Sequence, residues 1–258
     1  MPTTSSASSI VRIALGGAHR PGVLVLFDLD DTLVVTQPRF DEANAIILPL
    51  VAAEAGVDAS AVRARYLEIR KIKDAAGFST AHYGQAYLEA YRALVKSPAA
   101  PSERRILAAA GAVWVPPYKV HDGAVGAVAS IAANAGVGRI VILTLGNRAV
   151  QMAKINSLPS VTRAAMSAAY IVGSKNEAIL RKMLGGVDPT RAIMIGNSRA
   201  SDIAPAQACG MAAVLVDAGG WEHDQAAVNT TATLFRQVPA IAGAPQAVAS
   251  LLTVMNRR

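Results

Sequence analysis

A chain of 258 residues exceeds the usual single hydrophobic core, so one α/β core with a smaller inserted or appended domain is expected. With 52% hydrophobic and 17% charged residues it is excluded from the disordered class, and its single cysteine, Cys209, excludes an internal disulfide framework and suits a reducing cytoplasm. The formal charge of +7 favours anionic partners, but the densest basic run (Arg63, Arg65, Arg70, Lys71, Lys73) lacks the interleaved aromatics that stack bases. That run reads as a solvated helix face or a face steering an anionic substrate, and no nucleic-acid partner is expected.

Residues 1–20 are rich in Ser, Thr and Ala, with an apolar stretch too short for a secretory signal, and read as a flexible tail. No uninterrupted apolar run reaches the length of a membrane span, so no membrane partner is expected. Residues 23–27 then form a continuous apolar, β-branched run ending in acidic residues, as in a strand buried on both faces of a parallel sheet. Residues 38–111 differ in texture, with little strand character and helical stretches near 41–55, 60–75, 80–96 and 102–110. This segment reads as a helical insertion, with Pro116 and Pro117 at its return.

Beyond it, strand-like runs at 140–143, 170–172, 192–195 and 213–216 alternate with helical patterns at 124–134, 148–156, 175–184 and 204–209. Gly136, Gly185, Gly186 and Gly210 fall where those helices should stop. Alternating strand and helix predict an α/β fold, a doubly wound Rossmann-like parallel sheet, with the helical segment inserted.

Polar residues collect at the strand ends. Asp28-Leu29-Asp30-Asp31-Thr32 follows the first run, and in an extended chain Asp28 and Asp30 point into one cleft while Leu29 faces away. Carboxylates this close repel one another, so a bound cation is the expected remedy. Thr144, followed by Leu145, Gly146 and Asn147, offers a hydroxyl and backbone N–H groups at a helix start, where an anion can sit. The same letters also suit an ordinary helix cap by Asn147. Lys175 opens a predicted helix, where its charge opposes the dipole, so a partner from outside that helix would make sense of it, while a solvated surface position is the common case for a single lysine. Gly196, Asn197, Ser198 and Asp202 end another run, reading either as more oxygen donors or as a cap and turn.

In order, these four motifs resemble those of the haloacid dehalogenase-like hydrolase superfamily, whose first motif Asp-x-Asp-x-Thr stands here as Asp28, Asp30 and Thr32. The resemblance covers the whole core and implies a phosphoric monoester hydrolase acting on a small phosphorylated metabolite. It further implies Asp28 as the nucleophile that becomes an aspartyl-phosphate, and Asp30 as the acid and then the base. Thr144, Leu145, Gly146, Asn147 and Lys175 would hold the phosphoryl oxygens, and Mg2+ would be held by Asp28, Asp30, Asn197 and Asp202. Asn197 departs from the pattern, since many relatives carry aspartate there.

By the same resemblance residues 21–37 and 117–258 form the core, and 38–116 a helical cap of the first type that closes over the core and selects substrates. Residues 77–91 belong to the cap, with Lys73, His82 and Tyr83 as polar candidates facing the cleft. The alternatives are a phosphomutase, a non-catalytic binding protein of the same fold, and a 2-haloacid dehalogenase. The last works without metal and typically without an acid at the position of Asp30.

Overall fold

The computed structural model describes residues 10–75, 79–217 and 226–257. Along the chain the elements are β1 (Ile10–Ala14), β2 (Val23–Phe27), α1 (Gln37–Ala55), α2 (Ala59–Ala75), α3 (Ala81–Leu94), α4 (Ala100–Ala112), α5 (Ala124–Ala133), β3 (Val137–Leu145) and α6 (Arg148–Ser157). They continue as α7 (Ser160–Ala164), β4 (Ala168–Val172), α8 (Glu177–Leu184), β5 (Ala192–Gly196), α9 (Ala204–Ala208), β6 (Ala212–Val216), β7 (Phe235–Val238) and α10 (Ala244–Met255). Two compact units result: residues 36–116, all helical, and an α/β unit of residues 10–35 and 117–257.

The α/β unit is built on one seven-stranded sheet in the order β1-β4-β3-β2-β5-β6-β7. Its pairings are parallel except that of β1 with β4, giving the predicted doubly wound sheet. The run of apolar residues in β2 has a simple cause: Val23, Val25 and Phe27 pack on one face with α5 and α10, while Leu24 and Leu26 pack on the other with α8 and α9. β2 lies between β3 and β5, at the point where the strand order reverses, so the carboxyl ends of these strands open onto one crevice.

The N-terminal reading needs correction. Residues 1–9 of the expected tail lie outside the described residues, but 10–20 are built into the fold. β1 pairs antiparallel with β4, from Ile10 opposite Val172 to Ala14 opposite Ala168. Arg20 donates to the carbonyls of Ala132 and Asn134 (2.7 and 2.8 Å), capping the end of α5, and to that of Val137 (2.7 Å). Composition suggested a tail because an edge strand of half-exposed residues lacks the apolar density of a central one.

The helical unit has its own core. Tyr83, Tyr87 and Tyr91, four residues apart, form one buried stripe of α3. Asn44 Oδ1 on α1 accepts from the hydroxyls of Tyr83 (2.7 Å) and Tyr87 (2.8 Å), and the Tyr66 ring stacks on Tyr87 with centroids 3.9 Å apart. Glu54 joins α1, α3 and α4, accepting from Tyr91 (2.5 Å) and Ser102 (2.6 Å). Those two donors hold its carboxyl below the usual range.

Tyr83, suggested as a cleft residue, is therefore a core residue, 2% exposed. His82 pairs with Asp74 (3.1 Å) and Lys73 with Glu89 (2.6 Å). Residues 77 and 78 lie outside the described residues. Within the basic run Arg65 pairs with Glu68 and Arg70 with Asp74, so much of its charge is met locally, as on a solvated helix face. Among the described residues no single helix is long and apolar enough to cross a membrane.

Candidate active site

The polar residues of the four motifs converge at the carboxyl ends of β2, β3, β4 and β5, all within the α/β unit. Asp28 leaves β2 with its N–H donating to Ile195 O (2.8 Å), which continues the β2–β5 ladder one residue past the strand. The chain then turns: Asp31 N–H bonds Val34 O (2.7 Å) and Asp31 takes φ 55°, a left-handed conformation that aspartate tolerates better than most residues. Leu29, fully buried, faces the core and leaves Asp28 and Asp30 on the polar side.

Asp28 is 4% exposed. One carboxylate oxygen meets Lys175 Nζ and the other accepts from Thr32 Oγ1 (3.1 Å). Lys175, 9% exposed, precedes α8, whose cap is Asn176, and it also donates to Asp202 Oδ1 (2.7 Å). It is a buried bridge between two carboxylates, with the partners from outside its own helix that its position called for. Asp202 Oδ2 accepts from Ser198 N–H (3.0 Å). Gly196 is required beside it, because a Cβ there would fall on the Asp202 carboxylate.

Burial raises Asp28 from its ordinary 3.8 to about 7; Lys175 opposes the rise, and Asp202 and Asp30 add to it. For Lys175 burial works downward, but Asp202 and Asp28 overcome it and push the ammonium above its usual range.

Asp30 faces a second set of donors. Its Oδ1 meets Lys154 Nζ, and its Oδ2 accepts from Gln151 Nε2 (3.0 Å), with Thr144 Oγ1 at 3.4 Å. Lys154 and Gln151 escaped the motif reading because they lie more than 120 residues from Asp30 and belong to none of the four motifs. One signal was legible: residues 151, 154 and 155 form the inward stripe of α6, and a lysine and a glutamine there stand where the helical period calls for apolar side chains.

The turn after β3 departs from the anion-site expectation at Gly146 and takes the helix-cap alternative at Asn147. Gly146 N–H, expected to help hold an anion, donates to Val172 O (3.1 Å), which extends the β3–β4 ladder. The Asn147 side chain accepts from Ala149 N–H (2.9 Å) and Val150 N–H (3.4 Å), the ordinary helix cap that the same letters allowed. Leu145 contributes its carbonyl, which accepts from Gln151 (2.8 Å), and Thr144 is fully buried between Asp30 and the sheet.

Asn197, at the end of β5, points its amide at Asp28 Oδ2, Asp30 O and Thr32 Oγ1, at 3.3, 3.0 and 3.2 Å. Thr32 has one hydroxyl hydrogen, within reach of Asp28 Oδ2 (3.1 Å) and, with Oδ1 inward, of Asn197 Oδ1 (3.2 Å). With Nδ2 turned inward the amide donates and the cluster is satisfied as it stands; with Oδ1 inward it faces three oxygens, of which only the Thr32 hydroxyl can donate, and a cation would reconcile the others. Two further facts fit a divalent cation. The inward-facing atoms are hard oxygens at spacings suited to one small ion, and Asp28, Asp30 and Asp202 outnumber the ammonium groups of Lys154 and Lys175. Among the described residues no three His, Cys, Asp or Glu side chains are grouped to hold a metal, so a cation here would need main-chain and amide oxygens beside the Asp28 carboxylate.

The chain matches the haloacid dehalogenase-like hydrolases over residues 23–210. It belongs to that family. Curated protein sequences gave no significant match. Among solved structures, a haloacid dehalogenase-like family hydrolase from Xanthomonas campestris is similar at 24% identity, covering 95% of this chain and 99% of that one with a TM-score of 0.78. A 2-haloacid dehalogenase from Pseudomonas syringae is similar at 19% identity, 88% and 98% coverage and TM-score 0.54. A predicted phosphoglycolate phosphatase from Haemophilus somnus is similar at 14% identity, 88% and 98% coverage and TM-score 0.56. At such identities these likenesses establish the fold, and the chain is a family hydrolase whose structural neighbours include proteins named for both chemistries.

Proposed function

We propose that this hydrolase is a phosphatase for small phosphorylated metabolites, working through Asp28 and Asp30. The observation that carries the reading is Asp30 itself: a carboxylate two residues from Asp28, partly open to solvent and supplied with its own donors. Dehalogenation has no leaving-group oxygen to protonate, whereas phosphoester cleavage does. In the first step an Asp28 carboxylate oxygen bonds to phosphorus as the P–O ester bond breaks, and the leaving oxygen takes a proton from Asp30. In the second, water gives a proton to Asp30 as its oxygen bonds phosphorus and the P–O bond to Asp28 breaks, releasing phosphate.

Lys175 balances Asp28 against an incoming anion, and Thr144 offers a hydroxyl beside Asp30. The donors on Asp30, Lys154 and Gln151, hold its two carboxylate oxygens in place beside Thr144. Mg2+ would be held by Asp28 Oδ2, the Asp30 carbonyl and Asn197 Oδ1, with Asp202 acting through its charge and Lys175. When bound it supplies positive charge that screens the nucleophile from the phosphate.

A second reading, 2-haloacid dehalogenation, draws on Asn197, whose amide with Nδ2 inward satisfies Asp28 with no cation. One assay separates the two: phosphate release from p-nitrophenyl phosphate with and without Mg2+, beside halide release from 2-chloropropionate. Magnesium-dependent phosphate release with no chloride supports the phosphatase; chloride release without metal overturns it.

A further inference from the structure

The Asn147 cap sets the start of α6, and three-residue spacing then brings Gln151 and Lys154 to the same face of the helix. Lys154 is 1% exposed, and an ammonium that deep is tolerated only when paired. Its partner is Asp30 Oδ1, and its Nζ lies 5.4 Å from the Tyr118 ring centroid, a favourable place for a cation.

Gln151 Nε2 carries two hydrogens and meets two acceptors, Asp30 Oδ2 and Leu145 O, which determines the orientation of the amide. Gly146 makes room for it: at φ 149° a side chain there would be strained, and its Cβ would fall on the Gln151 side chain. One rigid helix thus holds both oxygens of a carboxylate that sits on a turn and is 22% exposed at its side chain.

We propose that Lys154 and Gln151 are positioning residues for the reaction, clamping Asp30 in the orientation its two proton transfers require. The inference rests on the phosphatase reading above. Neither residue touches the reacting atoms; both act through Asp30, because proton transfer needs the carboxylate held within hydrogen-bond reach of the leaving oxygen and then of water.

The test uses the full chain with Mg2+ and a series of aryl phosphates whose phenols rise in basicity. A well-placed acid makes the wild-type rate nearly indifferent to the leaving group. In Lys154→Met and in Gln151→Met, kcat should fall by about tenfold to a hundredfold, with KM changed by less than about threefold. The loss in kcat/KM, which reports phosphoryl transfer to Asp28, should grow as the phenol becomes more basic. Unchanged kcat in both variants, or a loss in kcat/KM equal for every phenol, overturns the proposal, since general loosening of the site carries no leaving-group dependence. Gln151→Met strands no charge, so it carries the comparison if Lys154→Met does not fold. A wild type releasing no phosphate from any member overturns the phosphatase reading and this inference with it; an active wild type with indifferent variants overturns this inference alone.

Discussion

Asp28 is the residue on which chemistry and stability meet. On the proposed phosphatase reading Asp28→Asn removes the nucleophile, and phosphate release should fall at least about a hundredfold, the scale of losing a key catalytic group. Its effect on stability has a definite sign. Asp28 is raised from 3.8 to about 7 in the fold, so between those pH values the folded chain holds a proton that the unfolded chain has released. The stability it lends is therefore full in acid and declines as pH rises through that window. In chelator, Asp28→Asn should melt above wild type at about pH 8, with the gap closing toward about pH 4; Lys175 keeps Asp202 as a partner in the variant. Thermal melts across pH check this, and a gap that widens in acid contradicts it.

Asp30→Asn should slow both formation and breakdown of the aspartyl-phosphate, which rapid-quench trapping reads directly. It should also lower the melting temperature, because Lys154 loses its carboxylate. At Asn197 an added carboxylate would stand about 3.3 Å from Asp28 Oδ2. Asn197→Asp should therefore be less stable than wild type in chelator and bind Mg2+ more tightly, since added charge at contact distance strengthens attraction to a divalent ion. Magnesium titrations of melting temperature and of activity both read it, and an unchanged or weaker apparent affinity would remove Asn197 from the ligand set.

At the scale of elements, the site depends on how strands and helices are ended. β2 and β5 are central strands whose last residues hand the chain over to Asp28 and Asn197, β3 between its neighbours carries Thr144 as its penultimate residue, and helices α6 and α8 begin at asparagine caps. The helix opposite is ended from a distance: Arg20 satisfies the carbonyls at the close of α5 from more than 100 residues away. Arg20→Ala should cost about 1–2 kcal/mol, measured as a lower urea midpoint, because hydrogen bonds from a charged donor are worth more than neutral ones. KM should not move, since Arg20 makes no bond to the site.

At the scale of the whole molecule, a formal charge of +7 sets the field that the proposed anionic substrate would meet. For a phosphate monoester, kcat/KM should decline as NaCl rises from about 20 to 200 mM, because the Debye length falls below the distances over which the basic surface acts. A neutral osmolyte at matched viscosity should leave the rate unchanged. A rate indifferent to salt would place the effective charge away from the approach to the site.

How much of this was legible beforehand follows a physical rule. β2 could be read from five letters because a strand buried on both faces must be apolar throughout, and the acidic residues after it could be read because charge at the end of such a strand has few uses. The helical insertion, the alternation of strand and helix, and the four motifs are likewise local patterns, each written in neighbouring residues. Side-chain partnership across the chain is not local. That Lys154 serves Asp30, that Tyr83 belongs to a core, that Gly146 spends its N–H on Val172 and that Arg20 ends α5 all depend on which segments the sheet order brings side by side. β1 and β7 were missed for a related reason, since strands at the edge of a sheet carry weaker periodic signals than those at its centre; α10 was missed although residues 244, 247, 248, 251, 252 and 255 carry a helical apolar period. The sequence by itself determined the fold class and the family of this chain, because hydrophobic period and motif spacing are properties of the polymer. Which donor meets which carboxylate was decided only by tertiary structure, because a hydrogen bond requires proximity in space that spacing along the chain does not specify.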